Sequence, residues 1–256
     1  MNTNRNSHIV QNSILKCRRF INRMSVFELF KLQESGQWYY ECLDKDQIPL
    51  VYYDLETSVR ALLRLPFYQL KELDVVKSFL KTIYSFLERS LDEGKKNCIL
   101  IVGPPNAGKN LFVDCLCSFM INPGKIENPS RQNVFPWMGG LNRRINKWNE
   151  ASIDPYFLDN VLDITQGKMI MANVKYQAPQ PLGKTPLIVM ANRDVFPNEP
   201  RFTIRHIRYD WTECSLLLDY RHKSPHPLAA GYLLLWVTNN TRYSYDFIDN
   251  YITSLL

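Results

Sequence analysis

Long apolar runs are missing from this 256-residue sequence. The longest, "AAGYLLLWV" (Ala229 to Val237), falls well short of the roughly 18 residues that cross a bilayer, so no membrane span is expected and the segment reads as buried in a soluble protein. Cysteine is sparse: Cys17, Cys42, Cys98, Cys115, Cys117 and Cys214 include no C-x-x-C pair, and no histidine stands at zinc-finger spacing from them. Neither a metal cluster nor a disulfide framework is therefore expected, and reduced thiols inside a cell fit best. The amino terminus carries basic residues but no continuous apolar stretch ending in a small-residue cleavage site, which argues against secretion. Internal repeats and low-complexity tracts are also missing.

Acidic residues are absent from positions 1 to 27, which hold Arg5, Lys16, Arg18, Arg19 and Arg23. Such a segment is either a solvated tail or an arm that contacts nucleic acid. The net charge of +6 and a pI near 8.9 suit a polyanion-binding protein without requiring one. At 45% hydrophobic residues, the chain can bury one substantial core, or one main domain with a smaller helical appendage.

Residues 1 to about 45 are polar and mixed, apart from the short apolar "MSVFELFKL", and read as an irregular or partly helical lead-in. From Lys71 to Leu91, apolar residues recur at Leu73, Val76, Leu80, Ile83, Leu87 and Leu91, which predicts an amphipathic helix stopped by Gly94. "CILIV" (Cys98 to Val102) and "PLIVMAN" read as buried strands, and "NLFVDCLCSFM" suits a helix. "NRRINKWNE" is a poor strand because Asn146 and Lys147 interrupt it. "KMIMANVKYQ", followed by the turn-rich "APQPLGKT", reads as a hairpin or projecting loop. From about Trp211 the chain includes "SLLLDY", the proline-rich "HKSPHPLAAGY" and a final helix-like stretch, expected to pack on the same domain. Strands separated by helices and loops imply an α/β domain with a largely parallel sheet.

Between the first strand and its helix lies "GPPNAGKN", which has the spacing G-x-x-x-x-G-K of a phosphate-binding loop. Gly103 and Gly108 let the backbone wind tightly, Pro104, Pro105, Asn106 and Ala107 complete the loop, and Leu111 follows on the helix. The loop amides and the helix N-terminus favour phosphate, and Lys109 would reach the β- and γ-phosphates. Asn110 stands where a Ser or Thr hydroxyl would hold Mg²⁺; its amide oxygen is a neutral carbonyl on a longer stem. Glu150, after Trp148, is either a solvated carboxylate or the group that orients water. Asn192, at the end of "PLIVMAN", is either a turn residue or a γ-phosphate sensor. Arg205 and Arg208 in "FTIRHIRYDW" are either surface charges or a source of transition-state stabilisation from a neighbouring subunit.

Taken in order, "GPPNAGKN", "NRRINKWNE", "KMIMANVKYQ…GKTPLIVMAN" and "FTIRHIRYDW…PHPLA" closely resemble the superfamily 3 helicase domain of parvovirus large non-structural (replication initiator) proteins, with the insect-infecting densovirus branch nearest. The resemblance covers about Tyr52 to Asn239. It implies an α/β fold, an AAA+-type P-loop ATPase with a largely parallel central sheet preceded by a small helical region. The boundaries expected are 1–94 for the lead-in and helical region and 95–256 for the ATPase domain. It further implies a ring, usually a hexamer, that uses ATP and Mg²⁺ to move 3′-to-5′ along single-stranded DNA during viral replication in the host nucleus. By matching positions, Gly103, Gly108, Lys109 and Asn110 resemble the Walker A residues and Glu150 the Walker B glutamate, with Asn110 and Glu150 near the metal. Asn192 resembles the sensor asparagine and Arg205 the arginine finger acting across a subunit boundary. Lys168, Lys175 and Lys184 fall in the family's DNA-contacting segment, though by composition alone they are ordinary loop charges. The helical region before Lys95 either helps assemble the ring or simply packs against the sheet.

Full-length relatives also carry a nicking endonuclease with a His-hydrophobic-His motif, and no such pair occurs here, so origin nicking is not expected. Asn110, Asn149 (where many relatives have a second acid) and the polar strand before Glu150 depart from the usual pattern. They motivate an alternative reading, a DNA-binding or oligomerising remnant without turnover. A host P-loop ATPase acting on protein is a third.

Overall fold

Ser25 and Glu28 decide how the chain enters the fold. The Ser25 hydroxyl accepts the Glu28 amide at 3.1 Å, and the Glu28 carboxylate accepts the Ser25 amide at 2.7 Å, a reciprocal capping box. This box separates α1 (Thr3–Arg23) from α2 (Val26–Glu34), so the lead-in is helical rather than irregular over its described part. The computed structural model describes residues 3–36, 46–91, 95–238 and 245–255; the stop signal at Gly94 lies outside them. A short α3 (Ile48–Val51) leads to α4 (Leu55–Leu70), capped by the Asp54 carboxylate on the Thr57 amide at 2.8 Å. Pro66 sits inside α4 and hides it from sequence reading, since proline removes an intrahelical donor. The expected amphipathic helix is α5 (Leu73–Leu87), burying Val76, Phe79, Leu80, Ile83, Phe86 and Leu87.

β1 (Cys98–Val102) opens the sheet portion, followed by α6 (Lys109–Phe119), β2 (Pro123–Ile126), β3 (Ile145–Trp148) and α7 (Leu158–Thr165). β4 (Ile170–Val174) and β5 (Gln177–Leu182) form an antiparallel hairpin. β6 (Leu187–Ala191), α8 (Pro200–Thr203), β7 (His206–Asp210), α9 (Pro227–Trp236) and α10 (Asp246–Leu255) complete the order. The main sheet runs β2-β3-β6-β1-β7, and every pairing in it is parallel. This is the α/β fold with a parallel central sheet that the sequence predicts.

Alternation along the central strands sorts two cores, because successive side chains point to opposite faces. Ile99, Ile101, Ile188 and Met190 face α4, α5, α6 and α9. Cys98, Leu100, Val102, Leu187 and Val189 face α7 and the base of the hairpin. The polar β3 persists because its neighbours supply partners: Asn146 is hydrogen-bonded through its backbone to Pro186 at 2.8 Å, and the Lys147 ammonium pairs with Asp114. Arg144, just before β3, donates to the Met24 carbonyl at 3.2 Å and ties the α1–α2 joint to the sheet. The "AAGYLLLWV" segment falls largely in α9, which is apolar all round and buried except at the half-exposed Tyr232. Gly231 lets it approach: a Cβ there would lie 2.6 Å from the Phe119 ring and 2.7 Å from that of Phe30.

Candidate active site

The loop between β1 and α6 is shaped by two left-handed residues, Asn106 (φ 61°) and Gly108 (φ 87°). Glycine at 108 has a second reason, since a Cβ would lie 2.7 Å from the Leu65 methyls of α4. Gly103 passes so close to the Trp211 carbonyl that a side chain would collide with it. Lys109, the first residue of α6, is buried. Its ammonium donates to the carbonyls of Gly103 and Pro104, the latter at 2.8 Å, and to the Asn192 side-chain oxygen at 3.1 Å. Burial pulls the Lys109 pKa down from its usual value, and the Glu150 carboxylate pulls it back.

Parallel register brings the other residues to the same end of the sheet. Val102 is level with Ala191, so the loop after β1 and Asn192 after β6 emerge side by side, and Glu150 follows β3 next to β6. Ligands in open α/β sheets bind at the carboxyl ends of the strands. A cavity of about 340 Å³ here is lined by residues 105–111, by Asn149, Glu150, Met190 and Asn192, and by Leu217. Glu150 is left-handed (φ 49°), and its turn is held on both sides. Asn128 accepts the Trp148 indole at 2.7 Å and the Ser152 amide at 2.9 Å, and donates to the Glu150 carbonyl at 3.2 Å. Asn110 is exposed and lines this cavity. The fully buried thiols of Cys98, Cys115 and Cys117 are pushed up, Cys117 to about 12, which makes them inert bystanders.

Arg205 is not in this cavity. It precedes β7, whose first residue, His206, is level with Cys98 at the start of β1. Five strand residues, roughly 16 Å, separate that end from the phosphate loop. Arg205 donates to the Gln166 side-chain oxygen at 3.0 Å and to the Arg201 carbonyl, two of a guanidinium's five N–H groups. Arg208 is held by Asp194 and Asp210, which raise its pKa.

The hairpin lysines are spread out rather than clustered. Lys175 is at the tip, 5.9 Å from the centre of the Phe135 ring, while Lys168 pairs with Asp163 at 3.3 Å near the root, and the Lys184 stem crosses Gly167. One hairpin face is buried through Ile170, Ala172 and Leu182, and Met171 points outward. Tyr176, fully exposed and left-handed, sits beside Lys175 at the hairpin tip, where an aromatic next to a lysine in a turn is the sequence feature that singles it out. Leu217 and Asn128 carry no such signal; only folding brings them to the site.

Residues 51–218 match the family model described as papillomavirus helicase. The chain belongs to this helicase family. The densovirus side of the family is also evident among relatives. The chain is 37% identical over 183 residues to the initiator protein NS1 of Bombyx mori densovirus, covering 72% of this chain and 19% of that protein. It is 29% identical over 224 residues to the initiator protein NS1 of Junonia coenia densovirus, covering 84% and 40% respectively. It is 27% identical over 187 residues to the replication protein E1 of human papillomavirus 65, covering 70% and 28%. The chain thus spans only 19% to 40% of the length of these relatives. In fold it is similar to the crystal structure of JCV helicase bound to a small acetamide compound, with a TM-score of 0.62 at 13% identity over 94% of this chain and 71% of that one. The densovirus-like superfamily 3 resemblance read from the motifs is borne out, as is the AAA+-type fold. A helicase domain of this family implies nucleotide binding. Among the described residues, no helix is long and apolar enough to cross a membrane.

Proposed function

We propose that this chain is the motor of a viral DNA replication helicase, which hydrolyses ATP to move 3′-to-5′ along single-stranded DNA as a hexameric ring. The observation that carries this reading is the meeting of Lys109, Asn192 and Glu150 in one cavity at the carboxyl ends of adjacent parallel strands. Lys109 would exchange its carbonyl contacts for the β- and γ-phosphates, and the loop amides would hold the phosphate oxygens. Glu150 would orient a water for attack on the γ-phosphorus and take its proton as the bond to the ADP oxygen breaks. Asn192 would hold that water or a γ-oxygen, and Arg205 would serve the site of a neighbouring subunit.

The donor set fits Mg²⁺, because Asn110 and Glu150 offer one neutral and one anionic oxygen ligand to the same cavity and substrate phosphates can supply the rest. Bound there, the cation offsets charge on the phosphate oxygens. Lys175, with Tyr176 beside it, would grip the DNA strand without regard to sequence, supported by Lys168 and Lys184 at the hairpin root.

DNA-stimulated ATP hydrolysis by four proteins tests the reading. Lys109→Ala is expected to lose nucleotide binding and turnover together. Glu150→Gln should bind nucleotide yet turn over about 10²-fold more slowly or worse, since it lacks the base. Lys175→Ala should keep its basal rate and lose stimulation by DNA. Equal rates in the wild type, Lys109→Ala and Glu150→Gln would sink the enzymatic claim and leave a DNA-binding remnant.

A further inference from the structure

The phosphate loop is held from outside by a residue of the helical region. Gln69, in the last turn of α4, is half-buried, and its amide group uses its full capacity. The Gln69 amide nitrogen donates to the Thr212 carbonyl at 2.7 Å and to the Ala107 carbonyl at 3.1 Å. The Gln69 side-chain oxygen accepts the Thr212 backbone amide at 2.7 Å and the Thr212 hydroxyl at 3.2 Å. It therefore pairs with Thr212 as one peptide pairs with another, and its remaining N–H is aimed at the loop.

That last bond has a consequence for phosphate. In a trans peptide the C=O and the following N–H point in opposite directions. Holding the Ala107 carbonyl outward on Gln69 turns the Gly108 N–H the other way, to the inside of the loop. The preceding peptide is treated alike, because the Cys214 amide donates to the Asn106 carbonyl at 3.1 Å and so turns the Ala107 N–H inward. Successive inward amides make an anion-binding nest. α4 reinforces the arrangement, with Leu65 against Gly108 and the Tyr68 hydroxyl donating to the Glu213 carbonyl at 3.1 Å.

We propose that Gln69 is a positioning residue of the nucleotide site, setting the Ala107–Gly108 peptide so that its N–H meets phosphate, and thereby making nucleotide affinity depend on a side chain from the helical region. The proposal rests on reading the loop as the phosphate site. Titration of a fluorescent ADP analogue into the full chain tests both. The wild type should bind, and Lys109→Ala should not; if the wild type fails to bind, the reading and the proposal fall together. Gln69→Met keeps the side-chain volume and removes all four hydrogen bonds, and should weaken binding about 10-fold, as expected for a lost orienting bond. Gln69→Glu removes the donor and sets a negative charge beside the loop, and should weaken it further. Thr212→Val removes only the hydroxyl contact and should bind like the wild type. Melting without nucleotide separates orientation from bracing. Wild-type affinity in both Gln69 variants, with or without a lower melting temperature, would overturn the proposal while leaving the site reading intact.

Discussion

At the scale of single residues, the site differs from a common phosphate loop most at Asn110. The position is exposed and lines the cavity, so a different side chain fits there without repacking. Asn110→Thr would exchange a neutral amide oxygen for a hydroxyl on a shorter stem, the donor that phosphate loops of this spacing usually present to Mg²⁺. The variant is expected to reach half-maximal hydrolysis at several-fold lower Mg²⁺, checked by titrating the metal at saturating ATP; an unchanged or higher requirement would show that the amide serves as well. Lys109 and the loop glycines were legible from spacing, because chain-local geometry determines their role. Asn128, Gln69 and Leu217 were not, because each reaches the site from a distant segment, the first two by hydrogen bonds to backbone carbonyls and Leu217 by a methyl beside Gly108, contacts that leave no mark in the local sequence.

At the scale of elements, α9 is capped by an imidazole. The His226 Nδ1 accepts the Leu228 amide at 3.2 Å, while the His226 amide donates to the Ser58 hydroxyl at 2.8 Å, so this cap also ties α9 to α4. Burial lowers the His226 pKa from its usual 6.5, and the same cause dominates at His206. A lowered folded value means that the unfolded chain takes up the proton first, so stability falls as pH drops through about 6.5 towards the folded pKa values. Protonated Nδ1 can no longer accept, and losing such a cap costs about 1 kcal/mol. Thermal melting at pH 7.5 and 5.5 should show a drop that is smaller in His226→Asn, which keeps an acceptor without the titration. The elements themselves were read unevenly. Periodicity identified α5, and β-branched runs identified β1 and β6, because those segments carry their own signal. α4 was hidden by Pro66, and β3 depends on its sheet neighbours rather than on its sequence.

At the scale of the whole molecule, the two ends of the sheet carry different halves of the proposed chemistry. Arg205 stands at the strand starts and the phosphate loop at the strand ends, so the arginine cannot serve its own nucleotide. Arg205→Ala and Lys109→Ala should each be inactive alone. Mixed before assembly, they should regain part of the wild-type hydrolysis, because some boundaries then join an intact loop to an intact arginine. No gain on mixing would exclude Arg205 as the group acting between subunits. The main core, meanwhile, runs across the whole chain: Phe30 of α2, Phe119 of α6 and Gly231 of α9 meet within it. Gly231 is made roughly 200 residues after Phe30, and at about 5–20 residues per second a ribosome needs on the order of 10–40 s to supply it. Throughout that interval the apolar faces of α2 and α6 that α9 covers stay open to water, which makes this the stage at which the growing chain is most prone to aggregate.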